Sequence, residues 1–259
     1  MTISEAAARK FSSLLRRLKS KHEAPAAPTV TPEPPDAMDP AVHQLVFSVL
    51  LWEASTSQAR NAQKRLRESL VDYNELRVCM ADELAAILGE KYPLGHERCL
   101  RLRSALNDLF RRQQGLTLLS LKDAPKREAR AMLESLEGIP PFAAARVFLL
   151  DLGGHGLPCD ERLRDLLAGE GVIDPAATPE AAASWLEHHI RAEDAVETHL
   201  LLQTWSDEEG HPPKREKRPA AEARQPAAAK PAPKARAKSP KGEAVGARHA
   251  NKSKSRSGD

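Results

Sequence analysis

A chain of 259 residues, 41% hydrophobic and 29% charged, can bury the core of one sizeable domain with appendages and is too short for two large ones. Aromatic residues make up only 4%, and Leu and Ala dominate the apolar set, so the composition disfavours sheets and points to an all-α body. The formal charge of +3 hides an asymmetry: His211 to Asp259 carries 14 Lys and Arg against 4 Asp and Glu, a net +10, and the rest carries 25 against 32, a net −7.

In chain order, residues 3–21 read as a basic amphipathic helix within an N-terminal unit 1–23. Phe11, Leu14, Leu15 and Leu18 share one face, with Arg16, Arg17 and Lys19 elsewhere. Residues 24–40, APAAPTVTPEPPDAMDP, form a proline-rich linker that is expected to be extended. The stretch 41–56 has Leu45, Val46, Val49 and Leu50 at helical spacing, and its near-continuous apolarity makes it the central helix of a domain spanning 41–210. Further helices are predicted at about 58–70, 73–88, 96–114, 126–136, 142–152, 161–168, 179–190 and 192–205, an array of about ten in all. The tail 211–259, rich in Lys, Arg, Pro and Ala, cannot bury a core and is expected to be disordered.

Several classes drop out. No uninterrupted apolar h-region follows the basic residues near the start, and nowhere do ~18 apolar residues run together, so neither export nor membrane insertion is signalled and a cytoplasmic place is expected. Cys79, Cys99 and Cys159 are an odd number without a CxxC pair, which predicts buried free thiols and no metal site. His188 and His189 lack a nearby ligand cluster and read as an exposed helix face. Trp52 and Trp205 end apolar helices and read as core. The cationic tail calls for a polyanionic partner, because neutralising phosphates releases counterions.

The most informative segment is LESLEGIPPFAAARVFLLDLGGHGLPCDERLRDLL, residues 133–167. It reads as helix, tight turn, helix, glycine-rich loop, then a helix opened by an acid. This order resembles the helix-hairpin-helix segment of the endonuclease III-like (HhH-GPD) DNA glycosylases. In that family a Leu-Pro-Gly-Val-Gly-like hairpin precedes an apolar helix and a catalytic Asp. Here the hairpin is Leu136-Glu137-Gly138-Ile139-Pro140 and the aspartate is Asp160. A glycine turn entering a helix can offer backbone N–H groups to a phosphate, where the helix dipole also favours negative charge. The resemblance therefore implies that Gly138, Ile139, Phe142 and Ala143 contact double-stranded DNA, with His155 near the backbone. Pro140 stands where the second hairpin glycine is expected and has no N–H to donate.

A second stretch, LLWEASTSQARNAQKRL (50–66), resembles the family's Leu-Leu-Ser-Ala-Gln-Ala-Thr-Asp region. Leu50, Leu51, Thr56 and Asn61 keep that pattern, whereas Ala54 replaces the Gln and Ser57 the Asp. Trp52, Ala54 and Thr56 are the implied base-pocket positions.

The likeness implies a glycosylase that turns a nucleotide out of the duplex and sets Asp160 beside the sugar to orient or deprotonate water. Read from its own residues, Asp160 is equally a helix N-cap ahead of ERLRDLL. Phe142 occupies the place of the Schiff-base lysine of bifunctional members, and no lysine lies between Lys126 and Lys214, so lyase chemistry is not implied. No cysteine follows Cys159, so the family's iron–sulfur cluster is expected to be absent and no cofactor is expected. Three functions stay open: a monofunctional, monomeric glycosylase; a catalytically inactive DNA-binding relative whose tail supplies most of the affinity; and a nucleoid-associated interaction scaffold.

Overall fold

The structure, a computed structural model, describes residues 5–22 and 39–211. The body of the proline linker and the basic tail beyond His211 lie outside the described residues. Within them the chain is all-α, with eleven helices and two short 3-10 turns and no strand. The helices are α1 Glu5–Lys21, α2 Pro40–Leu51, α3 Thr56–Ser69, α4 Tyr73–Val78, α5 Ala81–Leu88, α6 Gly95–Gln113, α7 Lys126–Glu134, α8 Pro141–Leu150, α9 Glu161–Gly169, α10 Pro179–His189 and α11 Ala195–Glu209.

Apolar side chains gather into two clusters. The larger joins α2 to α8 with α3, α4, α5, α6 and α7 around it, and every residue of α2 from Ala41 to Leu51 is buried. The central-helix expectation holds because only a helix enclosed on all sides tolerates such continuous apolarity. The smaller cluster unites α1, α9, α10 and α11. In it α1 buries Phe11, Leu14 and Leu18, with Phe11 edge-on to Trp185 at 5.3 Å. Burying three such side chains is worth ~1.5–3 kcal/mol each, against ~0–1 kcal/mol for exposed ion pairs. Apolar contact therefore anchors α1, and the pairs Arg17–Glu170, Lys19–Glu197 and Lys21–Glu208 fix its rotation.

Two expected helices are corrected. The central helix stops at Leu51, five residues before the expected end, because Glu53 adopts a left-handed conformation (φ 55°) and Ser55 caps a new helix. The Ser55 hydroxyl accepts the Gln58 N–H, and the Gln58 side chain accepts the Ser55 N–H. This reciprocal cap was legible as Ser-x-x-Gln. The 73–88 helix is two, α4 and α5, separated by extended residues Cys79 and Met80, with Glu83 accepting the Met80 N–H. At the far end, residues 192–194 form a 3-10 turn and α11 runs on to Glu209. Cys99 and Cys159 are buried thiols, whereas Cys79 is half-buried.

Candidate active site

A cleft of about 900 Å³ opens between the two clusters. One wall carries Trp52, Glu53, Leu94 and Arg101 together with the turn Pro140–Phe142, and the other carries Cys159 to Arg162 and Thr178 to Glu180. Asp160 and the hairpin turn thus share one groove, with Trp52 on its rim.

Asp160 is the N-cap of α9 and is only 5% exposed. Its Oδ1 accepts the Leu163 N–H at 2.9 Å, and its Oδ2 accepts the Glu53 N–H at 3.1 Å from the other side of the cleft. Glu53, 3% exposed, answers by accepting the Glu161 N–H through Oε1 at 2.7 Å. Each carboxyl group thus binds the backbone of the other's loop. The remaining oxygen, Glu53 Oε2, is buried without a hydrogen-bond partner. Burial, then the adjoining Asp160 carboxyl, pushes Glu53 up to about 8. Burial also raises Asp160, opposed by the N–H groups of Leu163 and Glu53.

The loop bearing Glu53 is held by a buried cation. Arg98, from α6 and 0% exposed, donates to the Leu50 carbonyl at 2.5 Å and to the Trp52 carbonyl. These carbonyls end α2, where the helix dipole favours positive charge. Tyr92 adds its hydroxyl to Leu50 at 2.6 Å, and its ring lies 4.7 Å from the guanidinium. The peptide between Trp52 and Glu53 is thus gripped at its carbonyl by Arg98 and at its N–H by Asp160. This grip offsets the ~1–3 kcal/mol cost of a left-handed non-glycine residue.

The half-buried Trp52 packs against the core and also lines the cleft, with the Arg101 guanidinium 5.0 Å from its ring. Ala54 is buried, its N–H closing a turn to Leu51, and the Thr56 N–H is taken by Asp207 on α11.

The tight turn expected at Gly138 is present, with the glycine at φ 75° in the left-handed region, and its carbonyl accepts from Arg101 at 3.3 Å. Ile139 donates its N–H to Leu136 and Ala143 donates to Pro140, while Pro140 and Pro141 have none. The side chains of Ile139, Phe142 and Ala143 are buried. Phe142 therefore contributes apolar packing beside the cleft. His155 is tied to the protein, its Nε2 at 2.9 Å from the Glu187 carbonyl, with Glu187 also gripping Arg130. His189 stacks on Trp185 at 4.0 Å. Among the described residues no group of three or more His, Cys, Asp or Glu could hold a metal ion, and no helix is long and apolar enough to cross a membrane.

Sequence reasoning missed Glu53 and Arg98. A lone acid inside an apparently continuous helix gives no signal, although the Ser-x-x-Gln cap after it marks a chain break there.

The architecture is the fold of the helix-hairpin-helix DNA glycosylases. Endonuclease III trapped in a covalent DNA intermediate and endonuclease III in a non-covalent DNA complex both superpose with a TM-score of 0.57 at 15% identity, covering 76% of this chain and 85% of theirs. A thermostable thymine-DNA glycosylase superposes at 0.51 with 16% identity, over 78% and 88%. No protein-family model and no curated protein matches the sequence.

Proposed function

We propose that the chain is a DNA-binding protein of the base-excision-repair type, acting as a monomeric and monofunctional glycosylase. Asp160 takes a proton from a water whose oxygen adds to the sugar carbon, and the base leaves with the electron pair of the broken base–sugar bond. The observation carrying this reading is the place of Asp160: it lines a cleft of about 900 Å³ together with the hairpin turn and Trp52. Each Asp160 oxygen spends one lone pair on a backbone N–H and keeps another for water. The similar endonuclease III structures hold DNA. Phe142 and the lack of any later cysteine fit a reaction without a lysine Schiff base or an iron–sulfur cluster.

The test is base release from a panel of duplexes bearing single lesions or mismatches, wild type against Asp160→Asn. Release that the substitution leaves unchanged removes Asp160 from the mechanism.

The second reading, DNA binding without chemistry, is favoured by one specific observation: the hairpin lacks the N–H groups of Pro140 and Pro141 and spends those of Ile139 and Ala143 internally. Under it the net +10 of residues 211–259 carries the affinity, and truncation after His211 abolishes duplex binding and its steep salt dependence. A truncated chain that still binds duplex at low salt returns the affinity to the cleft.

A further inference from the structure

Helix capping and core packing explain most buried polar groups near the cleft, but not Glu53. Its backbone is left-handed, its side chain is nearly sealed, and Oε2 has no partner. The charged and titratable groups around it are Asp160, Glu161 and Arg162 from the start of α9, Cys159 just before them, and Arg98 from α6. Neither cation pairs with the carboxyl groups: Arg98 is committed to the Leu50 and Trp52 carbonyls, and Arg162 to the Ser206 carbonyl at 2.8 Å.

The Arg162 charge favours both anions from a distance, but two buried carboxyl groups bound to each other's loops, with no ion pair on either, strongly disfavour carrying two charges at once. Geometry also says which one keeps the proton. Asp160 accepts two backbone N–H groups and stands at the positive end of α9, whereas Glu53 accepts one and leaves an oxygen bare. Hydrogen bonds to a carboxylate favour its anion, so the charge settles on Asp160 and the proton on Glu53.

We infer that Glu53 is a positioning residue for Asp160: the two carboxyl groups hold one proton between them, carried by Glu53, and their crossed backbone bonds orient the Asp160 anion toward the cleft. The catalytic consequence rests on the glycosylase reading above; the proton-sharing pair does not. When Glu53 also ionises, repulsion opens the crossed contact and Asp160 loses its aim. The elevated position of Glu53, about 8, agrees with a side chain that is neutral at pH 7.

The experiment combines two readouts on the full chain. Difference infrared spectra of the wild type follow the carbonyl stretch of a protonated carboxyl group, which is expected at pH 7 and lost as pH rises through about 8. Glu53→Gln removes the part of that band that titrates near 8 and leaves the part owed to Asp151, whose buried carboxyl is pushed up to about 7. Single-turnover base release by the wild type then falls about tenfold per pH unit beyond the ionisation, while Glu53→Gln, permanently neutral, keeps its rate. A spectrum with no band at pH 7, or one that Glu53→Gln leaves unchanged, overturns the pair; if Glu53→Gln folds poorly, Asp151→Asn, which removes the overlapping carboxyl pushed up to about 7, leaves the Glu53 titration to decide alone. Base release with the same pH profile in both proteins overturns the positioning role and leaves the glycosylase reading intact. No base release by the wild type overturns that reading and the positioning role with it, and the infrared band still decides whether the pair shares a proton.

Discussion

Two loops line the same cleft and differ in kind. The hairpin at 136–143 resembles a known phosphate anchor, yet its turn consumes or lacks most of its donors. The loop at 52–54 lies in a stretch whose resemblance rests on its flanks, Leu50, Leu51 and Thr56, and not on its own residues, yet it is gripped by Arg98 on one side and Asp160 on the other and brings a second carboxyl group to the site. Resemblance locates a segment; whether its polar groups are free to act depends on what the surrounding chain has already claimed.

The largest expected effect falls on the loop side. Asp160→Ala removes the α9 cap and strands the buried N–H groups of Leu163 and Glu53, which should lower unfolding free energy by about 2–4 kcal/mol in urea titration. A loss below the worth of a cap alone, ~1 kcal/mol, would mean that the crossed contact with Glu53 stabilises nothing.

Glu53→Gln sharpens the comparison through pH. Glu53 is raised in the folded protein from 4.5 to about 8, so its contribution to stability is complete below about 4.5 and is lost as pH rises through 8. The wild type should therefore lose stability across that window by on the order of 4–5 kcal/mol relative to Glu53→Gln. Thermal melts at pH 5 and pH 9 give the difference; parallel curves would place no proton on Glu53.

On the hairpin side the effects are smaller. Gly138→Ala forces a side chain into φ 75°, with its Cβ 3.1 Å from the Ser104 Cβ, and should cost about 1–2 kcal/mol. Pro140→Gly restores a missing backbone donor beside the cleft. If the hairpin touches phosphate, duplex affinity should rise by a factor of about two to five, the worth of one net hydrogen bond. Unchanged affinity would show that this turn no longer meets DNA and would favour the loop as the functional half.

Much of the fold was legible. Leucine spacing located α1, α3, α6, α7, α8, α9 and α10 to within about two residues, because periodic burial is written locally. The order of hairpin, apolar helix and capping acid placed Asp160, and the cap itself was readable from Asp ahead of ERLRDLL. The ends of α2 and the division between α4 and α5 were not, since an apolar run shows that a segment is buried without showing where its backbone bends.

By itself the sequence determined an all-helical body, a capping acid at 160 and a cationic tail, since periodicity, capping chemistry and net charge are properties of neighbouring residues. Only the tertiary structure decided that Asp160 faces Glu53, that Arg98 holds the loop between them, and that the hairpin's N–H groups are largely spent. The physical reason is distance along the chain. The Glu53–Asp160 contact joins residues 107 apart and the Arg98–Trp52 contact residues 46 apart. The first is made where the two apolar clusters meet and the second where helices pack within the larger one, and no local pattern encodes either.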